Sequence, residues 1–190
     1  ITQFVLPTFT MIPPRADHPQ HGHFWVPIDD ENCWAWSYDY HPTRALSDKE
    51  RKDLKDGHGI HNEYVPGTFM PKQNRDNDYL MDREAQKAGT LFSGVKGIAM
   101  QDASLQESMG PICDRTRENL VSTDNGIIMA RNMLRKAVTE FQKNGTTPPG
   151  VDPSHHHVRS VASVLEPDEK YMVALADALR SDPGKERTSV

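Results

Sequence analysis

His23-Phe24-Trp25-Val26-Pro27-Ile28, then Asp29-Asp30-Glu31-Asn32, then Cys33-Trp34-Ala35-Trp36-Ser37-Tyr38-Asp39-Tyr40 is the stretch on which the fold turns. Two runs rich in aromatic residues flank four polar residues of the kind that make turns, which predicts an antiparallel hairpin. A strand sends alternate side chains to opposite faces, so Trp34, Trp36, Tyr38 and Tyr40 share one broad aromatic face. Such a face suits the wall of a substrate pocket, with Trp34, Trp36 and Tyr38 as candidates. It equally suits packing against a helix.

Upstream of the hairpin, Ile1-Thr2-Gln3-Phe4-Val5-Leu6 reads as a further strand, broken or confined to an edge by Pro7, Pro13 and Pro14. Downstream, Ser47-Asp48-Lys49-Glu50 is a capping box, which predicts a short helix to about Asp56 closed by Gly57. Residues 57–78 read as a long loop with apolar islands only at Tyr64-Val65 and Thr68-Phe69-Met70. Residues 82–87 are helix-compatible, and Thr90-Leu91-Phe92-Ser93 reads as a short extended run. The longest periodic segment places Ile127, Ala130, Leu134, Ala137, Val138 and Phe141 at steps of three and four. It predicts an amphipathic helix capped by Ser122 or Thr123 and ending near Asn144-Gly145. Residues 158–164 are a last strand or a crossing segment, residues 166–180 a second helix, and the tail from Ser181 is polar. No internal repeat is present.

Between these elements lies Gly97-Ile98-Ala99-Met100-Gln101-Asp102, followed by Ala103-Ser104-Leu105-Gln106-Glu107-Ser108-Met109-Gly110-Pro111. Asp102, Leu105, Gln106 and Met109 fall at helical spacing, so Asp102 is expected at a strand-to-helix junction. A carboxylate there lies near the positive end of the helix dipole and points out of the element, as a metal ligand would. An ordinary capping aspartate would do the same. Glu107 lies on a different face of the helix and is expected to pair with Arg115 or Arg117.

The run Asn77-Asp78-Tyr79-Leu80-Met81-Asp82-Arg83-Glu84, then Gly97-Ile98-Ala99-Met100-Gln101-Asp102, Gln106-Glu107-Ser108-Met109-Gly110-Pro111-Ile112, Asp114-Arg115, Glu118-Asn119-Leu120 and Ser122-Thr123-Asp124 resembles the C-terminal part of the catalytic domain of phthalate-dioxygenase-type Rieske oxygenases. The resemblance runs in order from about residue 1 to about residue 165. It implies an α+β, helix-grip fold of the Bet v 1/START-like kind, in which an antiparallel sheet wraps a long C-terminal helix. Residues 1–190 would be the C-terminal part of that domain, a partial domain that alone is inactive.

The whole enzyme, by resemblance, uses Fe(II), O2 and electrons from a flavin/iron-sulfur reductase, passed through a 2Fe-2S Rieske cluster, to hydroxylate or demethylate an aromatic acid. It would be a homo-oligomer, a trimer or a multiple of one. In the family the mononuclear iron is held by two histidines and one aspartate, and Asp102 matches the aspartate. The family's histidine pair, four or five residues apart after an Asp or Asn, is absent from these 190 residues. Cys33 and Cys113 have no histidine two residues on, so the Rieske cluster domain is expected to be absent too.

Composition narrows the function classes. A net charge of -5 with interspersed acidic and basic residues argues against a nucleic-acid footprint. No apolar run approaches the roughly 18 residues of a membrane span, and nothing resembles a signal peptide. Two cysteines cannot make a disulfide framework, which suggests a reduced, cytoplasmic protein. With no initial methionine, the chain reads as a fragment of something longer.

Nine histidines require a check for metal sites. His58 and His61 stand three apart, but Gly57 and Gly59 oppose the helix that would align them, so loop histidines are expected. His155-His156-His157 reads as a solvated loop, and His21-Gly22-His23 as a turn. Two other function classes remain: a helix-grip module that binds an apolar ligand without metal chemistry, and a metal-dependent hydrolase built on His58, His61 and Asp102.

Overall fold

Four short runs rich in aromatic and β-branched residues pair into one antiparallel sheet in the order β1-β2-β3-β4: β1 (Gln3–Val5), β2 (Phe9–Ile12), β3 (Gln20–Pro27) and β4 (Cys33–Tyr40). The computed structural model describes residues 1–15 and 17–181. They fall into two compact units: residues 1–28, 33–45 and the described residues from Arg117 onward form one, and residues 29–32 and 46–116 the other.

The hairpin forms in the register its pattern requires, with Val26 opposite Trp34, Phe24 opposite Trp36 and Gly22 opposite Tyr38. Directly opposed residues share a face. The aromatic face of β4 therefore continues across Phe24 to Phe9 and Val5, and the core of the first unit is Val5, Phe9 and Met11 with Tyr38 and Val158 packed on it. Gly22 permits this closeness, since a Cβ there would sit 2.0 Å from the Thr10 carbonyl oxygen. His21 and His23 belong to β3 and not to a turn before it. Backbone pairing with β4 extends through them to Gln20, opposite Tyr40, so the strand begins two residues before the glycine.

The helices follow their caps. Ser47 and Glu50 close a capping box at the start of α1 (Asp48–Lys55). Asp82 caps α2 (Arg83–Lys87), accepting from the Ala85 amide at 2.8 Å. The third helix, α3, spans Ile98–Ser108, and α4 spans Asn125–Asn144 with Gly145 in the left-handed conformation that ends it. A 3-10 turn over Ser122–Asp124 leads into α4, so Ser122 and Thr123 precede the helix without capping it.

The α+β expectation holds: an open antiparallel sheet with several helices, one of them long, consistent with a helix-grip-like fold. Two expected elements do not form. Residues 90–93 are bend and turn, not an extended run. Residues 166–180 contain only the four-residue α5 (Tyr171–Ala174), whose first turn has no side-chain cap to stabilise it. The tail from residue 182 lies outside the described residues.

Residues 158–161 cross the sheet without joining it as a strand. One isolated bridge pairs Val158 with Arg180. Ser160, 1% exposed, binds the sheet instead: its hydroxyl donates to the Met11 carbonyl and accepts from the Gln3 amide at 3.0 Å. The Val161 amide donates to the Ile1 carbonyl at 3.2 Å. These bonds join residues about 150 to 160 positions apart.

Candidate functional site

Asp102 lies one turn inside α3, not at its cap. The cap is Gly97, whose φ of 86° suits a residue without a Cβ, and no strand precedes it. The helix therefore starts four residues before the expected junction. Its first turn receives a loop: the Ala99 amide donates to the Gly59 carbonyl at 3.3 Å, and Ile60 beside it is buried.

One face of α3 is held. Met100, 3% exposed, packs with Tyr79 and Val95, and Ala103 and Met81 close over them. Glu107, seven residues on from Met100 and thus on the same side, accepts a hydrogen bond from the Tyr79 hydroxyl. This bond replaces the expected pairing of Glu107 with Arg115 or Arg117. Burial, then the Glu107 carboxylate, pushes the Tyr79 phenol up to about 12.

Tyr79 reaches that place through an unusual backbone. Asp78, Tyr79 and Leu80 have φ of 49°, 57° and 51°, three consecutive residues with side chains in the left-handed region. Each such residue costs roughly 1 to 2 kcal/mol. The turn persists because its surroundings over-determine it. Asn74 and Asn77 form a reciprocal cap, the Tyr79 amide donates to the Asn74 carbonyl at 2.9 Å, and Gln73 Nε2 donates to the Tyr79 carbonyl at 3.1 Å. Hydrophobic periodicity does not reveal such a turn. The signal was Asn77-Asp78, two of the residue types that most readily enter left-handed turns.

The opposite face of α3 is open. Ile98 (57% exposed), Leu105 (68%) and Met109 (54%) surround exposed Asp102 there. Among the described residues the Asp102 carboxylate has no hydrogen-bond or ion-pair partner. A carboxylate framed by exposed apolar side chains is an arrangement ready for a ligand from outside the helix.

A facial iron centre needs two imidazoles beside such a carboxylate. Among the described residues no three His, Cys, Asp or Glu side chains are grouped to hold a metal ion. The residues of this chain thus fit one ligand of an iron centre and not the centre itself. His58, His61 and Asp102 are not such a group, and the hydrolase set is not assembled. Two histidines of the 155–157 run are engaged in structure. His155 Nδ1 bonds the Pro149 carbonyl, and His156 Nε2 bonds the Gly150 carbonyl at 2.8 Å while its ring lies 5.6 Å from Phe9. His155 and His156 thus brace Pro149 and Gly150.

The aromatic face grades from core to surface along β4. Tyr38 stacks on Phe9 at 5.6 Å and donates its hydroxyl to the Thr10 carbonyl at 3.0 Å, and burial raises its phenol well above the usual value. Trp34 and Trp36, with centroids 5.7 Å apart, remain exposed. A separate apolar groove of about 330 Å³ lies in the same unit, between Leu6, the Met133 to Glu140 side of α4 and residues 146–149. No described helix is long and apolar enough to cross a membrane.

Comparison with known proteins shows the family. Residues 1–181 match the model of the family described as LigXa C-terminal domain like. The chain is 34% identical over 163 residues to the 3-chlorobenzoate-3,4-dioxygenase oxygenase subunit of Comamonas testosteroni, a match covering 78% of this chain and 37% of that protein. It is 33% identical over 146 residues to the phthalate 4,5-dioxygenase oxygenase subunit of Pseudomonas putida, covering 74% and 31% respectively. The chain thus spans about a third of the length of these relatives.

Proposed function

The chain belongs to the LigXa C-terminal-domain-like family, the C-terminal catalytic part of Rieske oxygenases, and on that premise we propose that it is part of a terminal oxygenase component acting on an aromatic carboxylic acid. The whole enzyme would hydroxylate or demethylate the acid with O2, its mononuclear Fe(II) and 2Fe-2S Rieske cluster supplying oxygen activation and electron transfer from a reductase. Both relatives named above are dioxygenase oxygenase subunits, and their names carry the aromatic-acid substrate class.

Asp102 is the residue we assign to iron. The observation that carries this is its carboxylate, without a partner among the described residues, on the open, apolar face of α3. A carboxylate donor balances cation charge and leaves other coordination positions to imidazoles and substrate. Ile98, Leu105 and Met109 beside it would keep water from an aromatic substrate and strengthen the electrostatics of the carboxylate. In the first unit, taken by itself, Trp34 and Trp36 are exposed on β4, while Tyr38 anchors the strand.

The test is Asp102→Ala in the complete oxygenase, assayed for mononuclear iron, Rieske cluster and product with its reductase. Loss of mononuclear iron and product with the cluster retained is expected. Full iron occupancy would mean that the carboxylate is another residue. A second reading, a module that binds an apolar ligand without metal chemistry, is favoured by the groove beside Leu6 and α4. Iron content of the complete protein separates the two.

A further inference from the structure

The left-handed turn at Asp78, Tyr79 and Leu80 has no role in the chemistry assigned above, yet the fold holds it through several independent hydrogen bonds. Backbone kept in a sparsely populated region is retained where neighbours over-determine it, and such sites gather where geometry matters to function. Its product here is the placement of one side chain. Tyr79 leaves the turn into the core beneath α3, with its ring on Met100 and its hydroxyl on Glu107.

These two attachments lie two turns apart along a single face of α3. One attachment would leave the helix free to roll about its axis, whereas two on one face fix the roll. Asp102 stands on the opposite face, so the direction in which its carboxylate points follows from how the Tyr79 side is seated. A roll of one residue position, about 100°, would turn the whole face that carries Asp102, Ile98 and Leu105 and with it the direction of the carboxylate. Gln73 reinforces the arrangement, since its Nε2 donates both to the Tyr79 carbonyl and to the Lys96 carbonyl just ahead of α3, each at 3.1 Å.

We propose that Tyr79 is a positioning residue of the oxygenase: held in its left-handed turn and bonded to Glu107, it sets the roll of α3 and thereby the aim of the Asp102 carboxylate. The inference rests on Asp102 being the iron ligand. It adds that Tyr79 and Glu107 act on iron without touching it.

The experiment uses the complete oxygenase, stripped of mononuclear iron and titrated with Fe(II) alone, in four variants. Asp102→Ala tests the ligand, Tyr79→Phe and Glu107→Ala remove the bond, and Glu107→Gln keeps an acceptor oxygen for the tyrosine. Fe(II) affinity, the ligand-field spectrum of the bound ion and the melting temperature are read for each. Expected are an about tenfold loss of affinity in Tyr79→Phe and in Glu107→Ala, a shifted spectrum at saturating iron, and recovery of both in Glu107→Gln. Wild-type affinity and spectrum in both bond-removing variants, with iron lost in Asp102→Ala, overturn the positioning role and leave the ligand standing. A loss that follows melting temperature alone and is shared by Glu107→Gln also overturns it. Retained iron in Asp102→Ala removes the premise, and the inference falls with it. Should Tyr79→Phe fail to fold, Glu107→Ala and Glu107→Gln carry the same comparison.

Discussion

The two longest helices of the chain invert the usual relation between sequence pattern and burial. Twenty residues of α4 show a regular amphipathic stripe, yet none of them is buried, and Leu134 and Ala137 are only half-covered. The eleven residues of α3 show little amphipathic periodicity, yet Met100 is 3% exposed and Glu107 is tied to a buried tyrosine. Amphipathicity states that a helix has an apolar face. Whether that face is covered depends on what the rest of the chain brings to it. The first unit brings α4 the bidentate Glu118 to Arg131 ion pair, at 2.5 and 2.9 Å, and the rim at Leu6 and residues 146–149. The second brings α3 the side chain of a strained turn.

Four measurements break or sharpen this contrast. The largest effect belongs to the open face of α3: Asp102→Ala in the complete oxygenase is expected to remove mononuclear iron and product formation while changing stability by less than about half a kcal/mol, as for exposed positions. On the held face, Met100→Ala is expected to cost about 2 to 5 kcal/mol in denaturant unfolding, because a buried side chain leaves a cavity. A cost under about 1 kcal/mol would show that α3 is not anchored there.

Alkaline titration probes the other anchor. The Tyr79 phenol is raised from 10.0 to about 12 in the fold, so between those values the unfolded chain has lost its proton and the folded chain keeps it. Stability is therefore fully present below about pH 10 and lost as pH rises towards about 12. Tyr79→Phe should abolish that part of the decline, and an unchanged profile would place the phenol in solvent. The smallest effect is expected on α4: Leu134→Ala should cost about 1 to 2 kcal/mol, less than a fully buried leucine. A value as large as that for Met100 would show the stripe of α4 to be buried and would erase the difference between the helices.

Much of the local structure was legible in the residues. The Ser47 to Glu50 box starts α1, the aromatic alternation of β3 and β4 makes the hairpin, and Asn144-Gly145 ends α4. Local chemistry decides these features, through cap hydrogen bonds, side-chain alternation and the steric freedom of glycine. The helical spacing of Asp102, Leu105, Gln106 and Met109 was sound as well, although the start of the helix was placed four residues late. The glycine that closes a preceding loop can also open a helix, and the spacing alone does not separate the two.

By itself, then, the sequence determined the α+β class, the hairpin, the long helix and the family to which the chain belongs, because each is encoded in short-range pattern or in ordered motifs. Only the tertiary structure decided that Ser160 binds Met11 and Gln3 across the sheet, that Glu107 meets Tyr79, and that the carboxylate of Asp102 has no partner among the described residues. The Ser160 and Glu107 bonds join residues far apart along the chain. Their partners are selected by which buried polar groups would otherwise go unbonded, a condition that exists only after the chain has closed on itself.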